Sequence, residues 1–343
     1  MTQPVFDGHN DALTREDHRL IAAGRGGGHL DLPRMREGGL RGGIFSVFTP
    51  SRGERRRPLP RRDGVIEFEL APRVDHKRAA ADASATAGRL LALERAGHLR
   101  LGRRASDLDA TRHGDRQILA VLHLEGAEAI DPRLESLDLW HEAGLRSLGP
   151  VWSRPNAFGH GVPFISPSSP DTGPGLTDAG RALVRSCTEL GILVDLSHLN
   201  EAGFWDVAAL EPGPLVASHS AVHALCASSR NLADKQLDAI GDSGGLVGIV
   251  FACPFLRPDF ADDSDTSLEL IVDHVRYVAK RIGVEHVALG SDFDGATIPA
   301  AIGDAAGMPK LFDALSAAGF SQAELESIAW GNWRRVLGAW WSA

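Results

Sequence analysis

Lysine is scarce in this chain: four occur among 343 residues, Lys77, Lys235, Lys280 and Lys310. Cysteine is scarcer still. Cys187, Cys226 and Cys253 are an odd number, scattered, with no C-x-x-C spacing. That excludes a disulfide framework and suits reduced thiols in a cytoplasm. Long apolar runs are missing. The longest, residues 244–255, is too short for a membrane span and is interrupted by Pro254, so no membrane partner is expected. The start of the chain has no basic stretch leading into an apolar one. The expectation is therefore no signal peptide and a cytoplasmic protein. Positive charge is also in deficit: the formal net charge is −9, which argues against a nucleic-acid partner. Glycines at 24 and 26–28 lack a strand–turn–helix context and a following lysine, so they do not form a phosphate cradle.

Hydrophobic residues make up 43% of the chain, enough for a large core. Short β-branched apolar runs alternate with amphipathic stretches. Strands are predicted at residues 4–10, 43–48, 118–125, 147–151, 192–198, 215–219, 246–251 and 286–292. Helices are predicted at 75–97, 134–143, 177–190, 201–210, 234–240 and 267–282. Thr177 before Asp178 reads as a helix start, and Gly191 after Leu190 as a stop. Eight strands alternating with helices predict an α/β fold with parallel pairing. The simplest closure is a (β/α)8 TIM barrel spanning 1–343 as one catalytic domain; the runner-up is an open doubly wound sheet. Residues 308–318 and 322–341 read as closing C-terminal helices. Two loops stand out. Residues 51–63 carry Arg52, Arg55, Arg56, Arg57, Arg61 and Arg62, either a solvated loop or a cationic rim. Residues 155–174, rich in Pro, Ser and Gly, are either a lid or a plain connection.

Chemistry-bearing residues collect at the carboxyl ends of the predicted strands, where barrel active sites form. His9 and Asp11, two apart, share one face at the end of the first strand. Glu125 ends the third, His198 the fifth, His219 the sixth and Asp292 the eighth. Imidazoles and carboxylates suit Zn²⁺. Five ligands exceed what one catalytic zinc uses and suit two zinc ions. His9 and Asp11 would hold one, His198 and His219 the other, and Glu125 would span both. No lysine lies at a predicted strand end, which leaves Glu125 as the bridge. His123, two residues before Glu125, points to the same side and competes as a ligand. His160 and His223 lie near the predicted mouth. The other histidines, among them His18, His29, His76, His98, His113, His141, His274 and His286, read as solvated.

These residues stand in familiar runs. D-G-H-N-D occupies 7–11, D-L-P-R-M-R-E-G-G 31–39, and L-E-G 124–126. G-L-T-D-A-G-R begins at Gly175, and G-I-L-V-D-L-S-H ends at His198. S-H-S lies at 218–220, R-N at 230–231, G-S-D-F-D-G at 290–295 and G-N-W-R-R-V-L at 331–337. Together they resemble the membrane (renal) dipeptidase family, the M19 peptidases of the amidohydrolase superfamily, over nearly the whole chain. The resemblance implies a zinc dipeptidase in which the five residues above hold two zinc ions and a bridging hydroxide attacks the peptide bond of L,L or L,D dipeptides. It assigns Arg230 to the substrate carboxylate and Asp292, with Glu125, to catalysis. It also implies a possible homodimer. One position departs: the family's histidine after the fourth strand is replaced by Trp152, a substrate-binding residue that donates one hydrogen bond and carries no charge. That departure keeps two alternatives open: an amidohydrolase acting on N-acyl amino acids, and a metal-binding protein without activity.

Overall fold

The computed structural model describes residues 3–52, 59, 63–112 and 117–341. Of the arginine-rich stretch only Arg52 falls among them; Arg55, Arg56, Arg57, Arg61, Arg62 and also His113 lie outside the described residues.

Eight parallel strands form the barrel: β1 (Val5–Asn10), β2 (Leu40–Phe48), β3 (Ile118–Glu125), β4 (Leu145–Gly149), β5 (Leu193–Val194), β6 (Val216–Ser220), β7 (Leu246–Ile249) and β8 (Val287–Leu289). β1 to β5 pair in sequence order as one sheet and β6 to β8 as another. The longest register runs unbroken from Gly42 opposite Leu119 to Phe48 opposite Glu125. Two seams close the ring. Asp195 bridges Val216 in parallel, joining β5 to β6, and Asn10 bridges Phe293, joining β8 to β1. Across the second seam Asp292 N–H donates to the His9 carbonyl at 3.0 Å and Asp11 N–H to the Phe293 carbonyl at 2.8 Å. The fold is thus the (β/α)8 barrel, and the open doubly wound sheet is excluded because, among the described residues, these pairings leave none of the eight strands at an edge.

Strand residues are buried on both faces, as a barrel wrapped by helices requires. Helix punctuation follows local chemistry. Thr177 caps helix Asp178–Glu189 by accepting from Gly180 N–H at 3.1 Å. Gly191, at φ 67°, takes the left-handed turn after it at no steric cost. The strand ends differ from expectation. β5 stops at Val194 and β8 at Leu289, so His198 and Asp292 lie in turns beyond their strands. The tail is also not one uniform helix: Gln322–Glu326 passes through a π-helical turn, Ser327–Gly331, into Asn332–Trp340. The tail buries Trp330 and Trp333 against Phe6, and Trp333 Nε1–H donates to the Leu289 carbonyl at 3.1 Å.

Residues 155–174 are neither a free lid nor a bare connection. Within them Ile165–Ser166 pairs antiparallel with Ile66–Glu67. Phe164, Ile66 and Phe68 pack on a second apolar cluster that includes Phe255 and Phe260. His274 corrects another expectation. It is 1% exposed, not solvated. Its Nδ1 accepts from Val222 N–H at 3.0 Å and its Nε2 lies 3.2 Å from the Leu256 carbonyl.

Candidate metal centre and substrate cavity

A cavity of about 550 Å³ opens at the carboxyl ends of the strands, within the usual range for small-molecule sites. Asp11, Glu125 and His198 line its floor, Trp152, Phe164 and Phe255 one wall, and Arg230 and Asp292 also face it.

At the floor the two oxygens of Glu125 face different partners. Oε2 lies 3.6 Å from His9 Nε2. Oε1 lies 3.0 Å from His198 Nε2 and 3.7 Å from His219 Nε2. His9 Nε2 is also 3.6 Å from Asp11 Oδ2. The Nε2 atoms of His198 and His219 face each other at 3.1 Å, although two neutral imidazoles cannot both donate across that gap. Ligand atoms of His9, Glu125 and His219 fall within 4.8 Å of one another, as do those of His9, Asp11 and Asp292. His9 has both ring nitrogens, and Asp11 its Oδ1, buried without a hydrogen-bond partner among the described residues. Buried polar atoms are normally satisfied. This donor set, with converging lone pairs, fits divalent cations.

Electrostatics agree. Burial opposes charge on Glu125, but His9 and His198 outweigh it and hold the carboxyl well below its usual range. Burial also opposes a proton on His9, yet Glu125 and Asp11 drive its pKa well above normal. His198 is pushed down to about 3 by burial and by Arg230. His219 is pushed well down by burial and by His9. Both are neutral imidazoles, the form that ligates metal.

Supporting groups orient the rings. Ser153 Oγ lies 2.8 Å from His198 Nδ1. Ser218 Oγ lies 2.8 Å from His219 Nδ1 and donates to Asp195 Oδ2. Asp195 also accepts from Ser218 N–H at 2.8 Å and Ser197 Oγ at 2.7 Å. A chain from carboxylate through hydroxyl to imidazole fixes which nitrogen points into the site. Ser46 Oγ donates to Glu125 Oε2 at 3.0 Å. Sequence reasoning passed over Asp195, Ser218, Ser153 and Ser46. Asp195 did leave a signal, as a lone charge inside the apolar run before His198. His123 sits beside His9 with Nδ1 2.8 Å from Ser147 Oγ and Nε2 3.9 Å from Asp195. It faces the barrel interior and does not line the cavity.

Asp292 adopts φ 59° and shares a metal-like group with His9 and Asp11. A Cβ on Gly295 would lie 2.2 Å from both Asp11 Oδ2 and Asp292 Oδ1, so only glycine lets the turn approach these carboxylates. Asp294 also borders the cavity, but its carboxylate pairs with Arg25 at 3.0 Å. Asp7, also overlooked, accepts from Ser291 N–H at 2.7 Å and Ser291 Oγ at 2.9 Å, tying the Asp292 turn to β1.

Arg230 is 3% exposed. Its guanidinium donates to Ser220 Oγ and the His219 carbonyl, both at 2.8 Å, while Nε has no partner among the described residues. It forms no salt bridge among those residues, and burial lowers its pKa to about 10 against the opposing pull of Asp195, Asp292 and Glu125. A buried guanidinium facing a cavity without an ion pair has the charge and geometry to receive an anion. Trp152 stands 5.7 Å from the His198 ring and 5.8 Å from Phe164. His160 Nδ1 turns to the Gly175 carbonyl and His223 Nε2 to the Ser168 carbonyl; neither lines the cavity.

Comparison with known proteins agrees with this geometry. Residues 1–340 match the membrane dipeptidase family, peptidase family M19. A solved metallopeptidase of family M19, dipeptidase AC, is 46% identical and superposes with a TM-score of 0.93 over 100% of both chains. A metallopeptidase from Rhodobacter sphaeroides, solved with a phosphinate mimic of the dipeptide L-Ala-D-Ala, is 45% identical. Its TM-score is 0.91, covering 99% of this chain and 100% of its own. An uncharacterised protein from the pqqA 5′ region of Klebsiella pneumoniae is 49% identical over 246 residues, 72% of this chain and 90% of its own. With a match across nearly its full length and relatives this similar, the chain belongs to the membrane dipeptidase family, peptidase family M19.

Proposed function

We propose that this protein is a zinc-dependent dipeptidase that hydrolyses small dipeptides, including those with a D-residue at the C-terminus. One observation carries the reading: Glu125 presents its two oxygens to two different histidine sets at the floor of a cavity that also holds Arg230, buried and in no salt bridge among the described residues. The solved relative that holds an L-Ala-D-Ala mimic supports the substrate class. His9, Asp11 and Glu125 would hold one zinc ion, and Glu125, His198 and His219 the other. When bound, such a pair would lower the pKa of a shared water towards neutrality, so that a bridging hydroxide is available, and would polarise the scissile carbonyl.

The chain's own residues supply the rest. Arg230 binds the substrate's terminal carboxylate through its planar fork. That fixes the position of the peptide bond relative to Glu125 and converts an encounter into an oriented reaction. Asp292 takes the proton released during attack and delivers it to the leaving amine. Trp152, where the family has a histidine, offers at most one neutral donor to the developing oxyanion. Loss of one oxyanion donor costs roughly 3 kcal/mol of transition-state stabilisation where measured in other enzymes. The aromatic wall around the site offsets part of this by excluding water. The N-acyl amino acid alternative gains no support from these relatives, whose descriptions name dipeptide chemistry. A cytoplasmic setting belongs to the same reading, supported by three buried free cysteines. Among the described residues, no helix is long and apolar enough to cross a membrane.

The test is turnover of a mixed L,L and L,D dipeptide library by zinc-loaded protein, with metal counted on the same sample. Two zinc ions with rapid cleavage are expected. Two zinc ions without cleavage would refute the dipeptidase assignment.

A further inference from the structure

Behind Trp152 lies a buried ion pair that the chemistry above does not use. Arg154 Nε donates to Glu128 Oε1 at 2.7 Å, with the two side chains 0% and 3% exposed. Its other nitrogens donate to the Thr49 carbonyl at 2.8 Å and to Ser51 Oγ at 3.3 Å. The partners come from different loops: Thr49 and Ser51 follow β2, Glu128 follows β3, and Arg154 itself follows β4. The guanidinium carbon stands 5.1 Å from the Phe48 ring centroid and 5.2 Å from that of Trp152. Those two rings lie 5.0 Å apart. A buried ion pair is weak evidence for stability, since apolar replacement of both partners is often neutral. A rigid fork joining three loops and two ring faces acts through geometry.

Trp152 begins an aromatic wall. Phe164 lies 5.8 Å from it, Phe255 lies 5.4 Å from Phe164, and the Arg230 guanidinium sits 5.7 Å from the Phe255 ring. The wall therefore runs from His198 to Arg230. A dipeptide whose scissile carbonyl is at the metal ligands and whose carboxylate is on Arg230 lays its C-terminal residue along this wall.

We propose that Arg154, with Glu128, is a positioning residue: it holds the Trp152 indole as the wall of the cavity and thereby sets a preference for a large apolar C-terminal residue. The inference rests on the dipeptidase reading. Both hydrophobic contact and ring geometry favour such a residue, and neither requires Arg154 to touch substrate.

The experiment is a mutant cycle on the zinc-loaded full chain, reading KM, kcat, metal content and melting temperature. Its variants are Glu128→Gln/Arg154→Met, which removes both charges together, Trp152→Ala, and the three substitutions combined. Substrates are Ala-Phe, of the hand wild type prefers, and Ala-Gly. The paired variant is expected to raise KM for Ala-Phe about tenfold and for Ala-Gly less than about twofold, with kcat and metal content little changed. On the Trp152→Ala background the same pair of substitutions should add less than about twofold, because Arg154 acts through the indole. A full effect on that background, or an unchanged KM in a folded, zinc-loaded paired variant, overturns the proposal. If the paired variant melts below assay temperature, Arg154→Lys replaces it. It keeps the charge and loses the fork; a rise of about threefold is expected, and no rise overturns the proposal. Absence of dipeptide turnover by zinc-loaded wild type overturns the dipeptidase reading and this inference with it. Turnover with an additive cycle overturns this inference alone.

Discussion

Arg230 shows how much a single side chain states once its surroundings are known. A guanidinium this buried, held by a serine hydroxyl and a carbonyl and facing a cavity, is poised for an anion. Arg230→Met keeps volume and removes the fork. On the dipeptidase reading, KM for dipeptides should rise roughly 100-fold with metal content unchanged, since a charge-assisted bidentate contact is worth about 1.5–3 kcal/mol. Steady-state kinetics beside metal analysis decide it, and an unchanged KM removes Arg230 from substrate binding. At the same scale Asp195 orients His219 through Ser218. His9, Asp11, Glu125 and His219 were legible in the sequence because each sits at or next to a strand's carboxyl end. His198 was read from the same rule, but at a strand end that the structure moves: its strand stops four residues earlier.

At the scale of elements, helix Leu268–Ile282 carries a polar group into the apolar interior. His274 is buried, accepts from Val222 N–H and has a pKa lowered to about 4 by burial. The folded state therefore prefers the neutral ring. For a histidine depressed in this way, its contribution is complete above the unfolded pKa near 6.5 and is lost as pH falls from there through about 4. The loss across that window is on the order of 3 kcal/mol. His274→Gln retains a donor and an acceptor without titrating. Urea denaturation at pH 7 and pH 4.5 should show wild type losing more stability than the variant, and parallel losses would dismiss the role. Helix periodicity placed this residue in an amphipathic stretch but did not say which face was inward. The face is set by packing on the loop after β6, which lies 52 residues away in the chain. Similarly, no period in residues 155–174 announces that Phe164 joins a wall with Phe255.

For the whole molecule, the site ties strands from both halves of the ring. His9 lies on β1, Glu125 on β3 and His219 on β6, while His198 follows β5. Anything bound there stabilises the closed barrel by mass action. Chelation of zinc-loaded protein is expected to lower the melting temperature by on the order of 5 °C, and zinc to restore it. Calorimetry with and without chelator checks this, and coincident melts would argue that the cluster binds no metal. The sequence by itself determined the alternation of strand and helix, the parallel (β/α)8 class and the five candidate ligand residues whose side chains the structure brings together. These follow from local periodicity, turn chemistry and the rule that barrel sites form at carboxyl strand ends. Tertiary structure alone decided how those residues meet. It set Glu125 between two histidine sets, ran Asp195 through Ser218 to His219, buried Arg230 at the cavity and placed Arg154 behind Trp152. Each is a contact between side chains far apart in the chain. Its distance depends on strand register and loop packing, which no local pattern encodes.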